Sequence, residues 1–161
     1  MKHNPFRSET GGRIDRNSPI DFEFNGRIYA GYEGDTLASA LLANGVFLTA
    51  RSFKYHRPRG IMGAGVEEPS CFVELLGENA AANHAATIVR LRPGLVAKSV
   101  NCWPSPNFDL LSINQLFARF FPAGFYYKTF MWPNWRLFEP SIRRAAGLAA
   151  CLLYTSDAAD D

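Results

Sequence analysis

Residues 20–32, IDFEFNGRIYAGY, constrain the fold more than any other stretch. IDFEF alternates apolar and acidic side chains, the period of a strand with one buried face, and RIYAGY reads as its return strand. Asn25-Gly26 between them is the strongest short hairpin signal, because the tight turn needs positive φ at both central positions. A hairpin buries nothing by itself, so the next segment must cover its apolar face. EGDTLASALLANG supplies that cover: Leu37, Ala38, Leu41 and Leu42 recur at helical spacing, Asp35 suits an N-cap, and Asn44-Gly45 supplies a left-handed stop.

Further along, residues 46–48 read as a short extended piece and residues 51–65 as a loop. CFVELL (71–76), ATIVRL (86–91) and residues 95–100 read as strands; GENAAANH is a turn region, and Arg92-Pro93-Gly94 closes the second strand. A hairpin, one helix crossing and later strands form the β-grasp order, an α+β pattern. From Trp103 the texture changes. WPSPNFD is a proline-broken linker; Ile113, Leu116, Phe117, Phe120 and Phe121 predict an amphipathic helix stopped by Pro122; EPSIRRAAG predicts a last helix with Pro140 in its first turn. The expected organisation is an N-terminal arm (1–18), a β-grasp domain (19–103) and a mostly helical, aromatic-rich extension (104–149).

Composition narrows the function class. A hydrophobic fraction of 47% in 161 residues supports one real core. A net charge of +2 is too small to imply nucleic acid from the total, so an electrostatic case must rest on local clusters. No apolar run approaches the roughly 20 residues of a membrane helix. The polar start, MKHNPFRSETGGRIDR, lacks the apolar core of a secretion signal. Cys71, Cys102 and Cys151 show no CxxC spacing, which argues against a disulfide framework and for a reducing compartment. A soluble, cytoplasmic protein is expected.

The final residues, CLLYTSDAADD, break sharply from the composition before them. From Cys151 to Asp160 they resemble the one-frame translation of a transposase adapter used to prepare sequencing libraries. Residues 150–161 are therefore expected to be foreign, with the natural continuation missing, and Cys151 is set aside as a ligand.

RIYAGYEGDTLASALLANG resembles the second strand and helix of the [2Fe-2S] ferredoxin-like β-grasp domain. Together with GGRIDR (11–16), RSFKYHRPRGIMGAGVEEP (51–69), NCWPSPNFD (101–109), FFPAGFYYKTFMWP (120–133) and EPSIRRAAGL (139–148), the chain resembles the N-terminal region of α subunits of heterotetrameric sarcosine oxidases, over residues 1–149. Such subunits continue into a dinucleotide-binding domain and a folate-binding domain, and no GxGxxG occurs here. The resemblance implies an enzyme that oxidatively demethylates sarcosine to glycine, with hydrogen peroxide and a one-carbon unit passed to tetrahydrofolate or released as formaldehyde. It implies FAD, FMN, NAD and tetrahydrofolate in the assembled enzyme and none of them in this segment. The implied partners are the rest of the α subunit and the β, γ and δ subunits, with no nucleic acid and no membrane. The chain itself is expected to be scaffold and interface, with no catalytic residue. The alternative is a [2Fe-2S] electron-transfer module of a related amine or opine oxidoreductase.

A plant-type cluster needs a C-x4-C-x2-C run and a distant fourth cysteine, because four thiolates converge on two irons. In GIMGAGVEEPSC the corresponding positions carry Met62 or Gly63, Glu67 or Glu68, and Ser70 or Cys71, and Cys102 is the other thiol before the tail. Carboxylate and hydroxyl oxygens are hard donors and poor substitutes for thiolate. The loop thus reads as a cluster-binding element that has lost its cluster, with Gly60, Gly63 and Gly65 serving backbone positions that tolerate positive φ.

Two further clusters invite sharper readings. Arg51, Lys54, His56, Arg57 and Arg59, interleaved with Phe53 and Tyr55, could grip phosphate and stack bases. A structural loop whose cations pair with nearby carboxylates such as Glu67 and Glu68 fits the low net charge better, with His56 a hydrogen-bonded structural histidine. Phe125, Tyr126, Tyr127, Phe130, Trp132 and Trp135 could cage a methylated amine. They are too many for a small core to cover, so an interdomain or intersubunit interface is the better reading.

Overall fold

The computed structural model describes residues 4–77, 80–116 and 134–145. Strands β1 (Asp15–Phe24) and β2 (Arg27–Glu33) form the expected hairpin. Its turn has positive φ at both Asn25 (51°) and Gly26 (75°). Helix α1 (Leu37–Ala43) follows and buries Leu37, Ala38, Ala40 and Leu41. A small two-stranded sheet follows: β3 (Leu48–Arg51) extends the short piece read at 46–48, and β4 (Pro58–Gly60) falls in the stretch read as a loop. Strands β5 (Phe72–Leu76), β6 (Ala81–Ala85) and β7 (Val96–Ser99) complete a five-stranded sheet of order β2-β1-β7-β5-β6. β1 pairs with β7 in parallel and the other neighbours are antiparallel, giving a mixed sheet with few helices of the ferredoxin-like kind. Helix α2 (Trp135–Ala145) is the last described element, and no described helix is long and apolar enough to cross a membrane.

The core sits between α1 and the sheet. Ile20, Phe22 and Phe24 face inward on alternate positions of β1 and meet Leu37, Leu41, Val73, Leu95 and Ala97. Each buried Phe or Leu stabilises by about 1.5–3 kcal/mol. The arm before β1 straps this unit down. Phe6 donates its amide to the Ala43 carbonyl at 3.2 Å and packs edge-on against Phe47 at 5.1 Å. Arg7 pairs with buried Asp35 at 2.6 Å.

Five sequence expectations need correction. Thr36, not Asp35, caps α1, exchanging hydrogen bonds with Ser39 in a capping box. Asp35 accepts instead from Arg7, the Tyr32 amide and the Ser39 hydroxyl. The turn region GENAAANH contains strand β6, whereas ATIVRL is no strand. The carbonyls of Ala86 and Val89 accept from the Ala38 and Leu37 amides, at 3.0 and 2.8 Å, so this backbone satisfies the open N-terminus of α1 rather than a ladder. The predicted amphipathic helix is, over Leu110–Gln115, a 3-10 turn; its Phe117, Phe120 and Phe121 lie outside the described residues. The last helix starts at Trp135, which places Pro140 inside it rather than in its first turn.

Candidate functional site

The cluster-type loop is built around a carboxylate. After β4 the chain runs through Met62 and Gly63, makes a 3-10 turn at Gly65–Glu67, and enters β5 through Ser70 and Cys71. Glu68 is 3% exposed. Its Oε2 accepts from the Met62 amide at 2.8 Å and from the Gly63 amide. Its Oε1 accepts from the Ser70 amide at 2.8 Å and the Cys71 amide at 3.2 Å. Burial alone would push this carboxyl up, but the four amides outweigh it and hold it below the ordinary carboxylate value.

The other residues of the loop do not converge as ligands. Met62 is 80% exposed, and its sulfur accepts from the Ser70 hydroxyl at 3.8 Å. Glu67 is exposed. Ser70 also takes a hydrogen bond from Arg59 at 3.3 Å. Cys71 belongs to the core, with its sulfur 3.5 Å from the Thr49 hydroxyl. Burial pushes the Cys71 thiol up, helped by the Glu68 charge and opposed by the Thr49 hydrogen bond and the Ala86 amide. Burial likewise raises Cys102, with Asp109 adding to the rise while Arg51 and Ser99 oppose it. Metal ligation needs thiolates, so both environments work against it. Among the described residues no group of three or more His, Cys, Asp or Glu could hold a metal ion. The donor set therefore does not fit a four-thiolate [2Fe-2S] cluster. Of the three glycines expected to need positive φ, Gly65 alone has it, at 71°; Gly60 instead leaves room for the Phe47 carbonyl.

The basic loop divides its cations among separate tasks. Arg51 donates to the Pro106 carbonyl at 2.7 Å and to the His56 carbonyl at 2.8 Å. Lys54 and Arg57 lie over the Tyr55 ring at 4.9 and 5.1 Å. His56, at φ 51° and buried, places Nδ1 2.8 Å from Asp109 Oδ2. Asp109 also accepts from the Trp103 and Leu111 amides at 3.0 and 3.1 Å. The partner of His56 thus lies 53 residues away rather than in its own loop. Asp109 is the residue that sequence reasoning missed; its signal is a lone acid in the otherwise uncharged stretch WPSPNFDLL. Glu68 was legible as one of two acidic choices for the middle ligand position. Of the aromatic candidates, Trp135 is half-buried in α2, while Phe125, Tyr126, Tyr127, Phe130 and Trp132 lie outside the described residues, as does the tail from residue 146.

A sheet of this order with a glycine-rich loop leading into β5 defines a ferredoxin-like domain, and the comparisons agree. Residues 17–102, more than half of the chain, match the 2Fe-2S iron-sulfur cluster binding domain, and the chain belongs to that family. It is 56% identical over 147 residues to the sarcosine oxidase alpha subunit of Rhizobium meliloti (strain 1021), covering 89% of this chain and 15% of that protein. The alpha subunit of Corynebacterium sp. (strain U-96) is 40% identical over 63% of this chain and 10% of its own length. That of Corynebacterium sp. (strain P-1) is 42% identical over 43% of this chain and 7% of its own. The chain is thus homologous to these oxidoreductase subunits and spans 15% or less of their length. Among solved structures, L-proline dehydrogenase from P. horikoshii overlaps with a TM-score of 0.45 at 23% identity, over 60% of this chain and 17% of that one.

Proposed function

We propose that the chain is a cluster-free, ferredoxin-like scaffold domain at the N-terminal end of a sarcosine oxidase α subunit. It works in the cytoplasm and takes no part in the chemistry. One observation carries this reading: at the ligand spacing stand Gly63, Glu68 and Cys71, with Glu68 bound to backbone amides and Cys71 turned into the core. The whole enzyme would oxidatively demethylate sarcosine using FAD, FMN and NAD, with tetrahydrofolate as one-carbon acceptor, all bound outside this segment. The protein's task in such chemistry is to place a cofactor's reactive atom against the substrate, and this segment has no dinucleotide fingerprint with which to do so. Its role is contact with the remainder of the α subunit and with the β, γ and δ subunits. Large exposed side chains such as Phe47, Phe53, Trp103 and Phe108 support that role.

The test is anaerobic reconstitution with iron and sulfide. The chain is expected to retain no stoichiometric iron and to show no visible cluster absorption. A bound [2Fe-2S] centre would overturn the reading in favour of an electron-transfer module.

A further inference from the structure

We propose that Glu68 is the built-in occupant of an anion cradle: its carboxylate fills the centre of the cluster-type loop, and the amides around it take up a small carboxylate anion when that side chain is removed. The spacing comes first. Counting back from Cys71 by the plant-type pattern reaches Glu68 and then Gly63, so Glu68 stands at the middle ligand position. From there it accepts from amides on both limbs of the loop, Met62 and Gly63 before the 3-10 turn and Ser70 and Cys71 after it.

The stoichiometry comes second. A carboxylate offers about four lone-pair sites, and the cradle presents four N–H donors, so donors and acceptors match. Without the carboxylate, these amides would be left without their acceptor in a loop whose Ser70 and Cys71 are buried.

Close packing comes third. A Cβ added at Gly63 would lie 3.4 Å from Glu68 Oε2, already in contact with the carboxylate. The carboxylate thus packs beside the Gly63 backbone at the distance of ordinary van der Waals contact.

This rests on the cluster-free reading above, and the two fail differently. Iron retained by the wild-type chain overturns that reading. Unchanged behaviour of Glu68→Ala with no iron bound overturns only the cradle. The experiment is thermal unfolding of the full chain and of Glu68→Ala in rising sodium formate, with ionic strength held constant by sodium chloride. The variant is expected to melt about 5 °C or more below wild type, and formate is expected to restore most of that loss saturably while leaving wild type unmoved. Equal Tm values, or an equal formate response in both proteins, overturn the proposal. Should Glu68→Ala not fold, Glu68→Gln keeps the shape but turns an NH2 group toward two of the donors. Its hydrogen exchange at Met62, Gly63, Ser70 and Cys71 is then expected to rise at least tenfold, and unchanged protection at all of them overturns the cradle.

Discussion

Two adjoining loops of this molecule are held in opposite ways. The cluster-type loop is closed by one side chain reaching amides only 2 to 6 residues away. The basic loop between β3 and β4 is closed by a buried pair, His56 and Asp109, whose members are 53 residues apart. The first is self-contained and its order is local. The second ties the proline-broken linker to the small sheet, so its order depends on the whole domain being folded. Damage to one should stay where it is made, whereas damage to the other should appear on both sides of the tie.

The largest expected effect tests the long-range tie. Replacing Asp109 by alanine removes a carboxylate that is 0% exposed and leaves His56 and the Trp103 and Leu111 amides without their acceptor. Each buried donor left without its acceptor costs about 1–3 kcal/mol. Urea unfolding of Asp109→Ala should show a loss of that order. Hydrogen exchange sharpens the contrast: amides at both Trp103 and residues 52–57 should lose protection together, while Met62 and Gly63 keep theirs. Loss confined to residues 103–111 would show that the tie carries no coupling.

A smaller effect probes the local loop through pH. The amides hold the folded Glu68 carboxyl below its ordinary value. The stability it contributes is therefore fully present above the unfolded value and is lost as pH falls through the lowered folded value. The Tm of wild type should fall over that acid window by more than the Tm of Glu68→Gln, which has no proton to gain there. Parallel curves for the two proteins would mean that the carboxylate charge contributes nothing to this loop.

The same local-against-distant contrast explains what was legible in the sequence. The β1–β2 hairpin and α1 were readable because a two-residue turn and a helical repeat are written in neighbouring residues. The residues at the cluster-loop ligand positions could be named because ligands of that type have a fixed spacing. Strand β6 was not. Ala81, Ala82, Asn83 and His84 have poor strand propensity and are extended only because β5 offers them an edge. Residues 86–91 carry β-branched side chains that favour a strand, yet their carbonyls are claimed by the helix N-terminus. Asp35 was read as the cap because nothing in its neighbourhood announces Arg7, 28 residues earlier. Glu68 could be narrowed to two choices, but its amide contacts needed the loop's three-dimensional course. Asp109 offered only its isolation.

The smallest expected effect supplies the baseline for both loops. Lys98 on β7 and Glu74 on β5 stand directly opposite each other and pair at 3.1 Å, with side chains 47% and 33% exposed. This pair lacks the burial of the His56–Asp109 tie, and it crosses the sheet without closing a loop. In water the attraction is screened, and two long side chains must be fixed to make it, so exposed pairs contribute about 0.2–1 kcal/mol. Glu74→Gln should lower stability by about 0.5 kcal/mol or less in urea unfolding at low salt, and the difference should vanish near 1 M salt, where the Debye length is about 3 Å. Hydrogen exchange in both loops should not change. If this substitution cost as much as Asp109→Ala, burial would not be what separates the tie from an ordinary ion pair, and the contrast between the two loops would lose its physical basis.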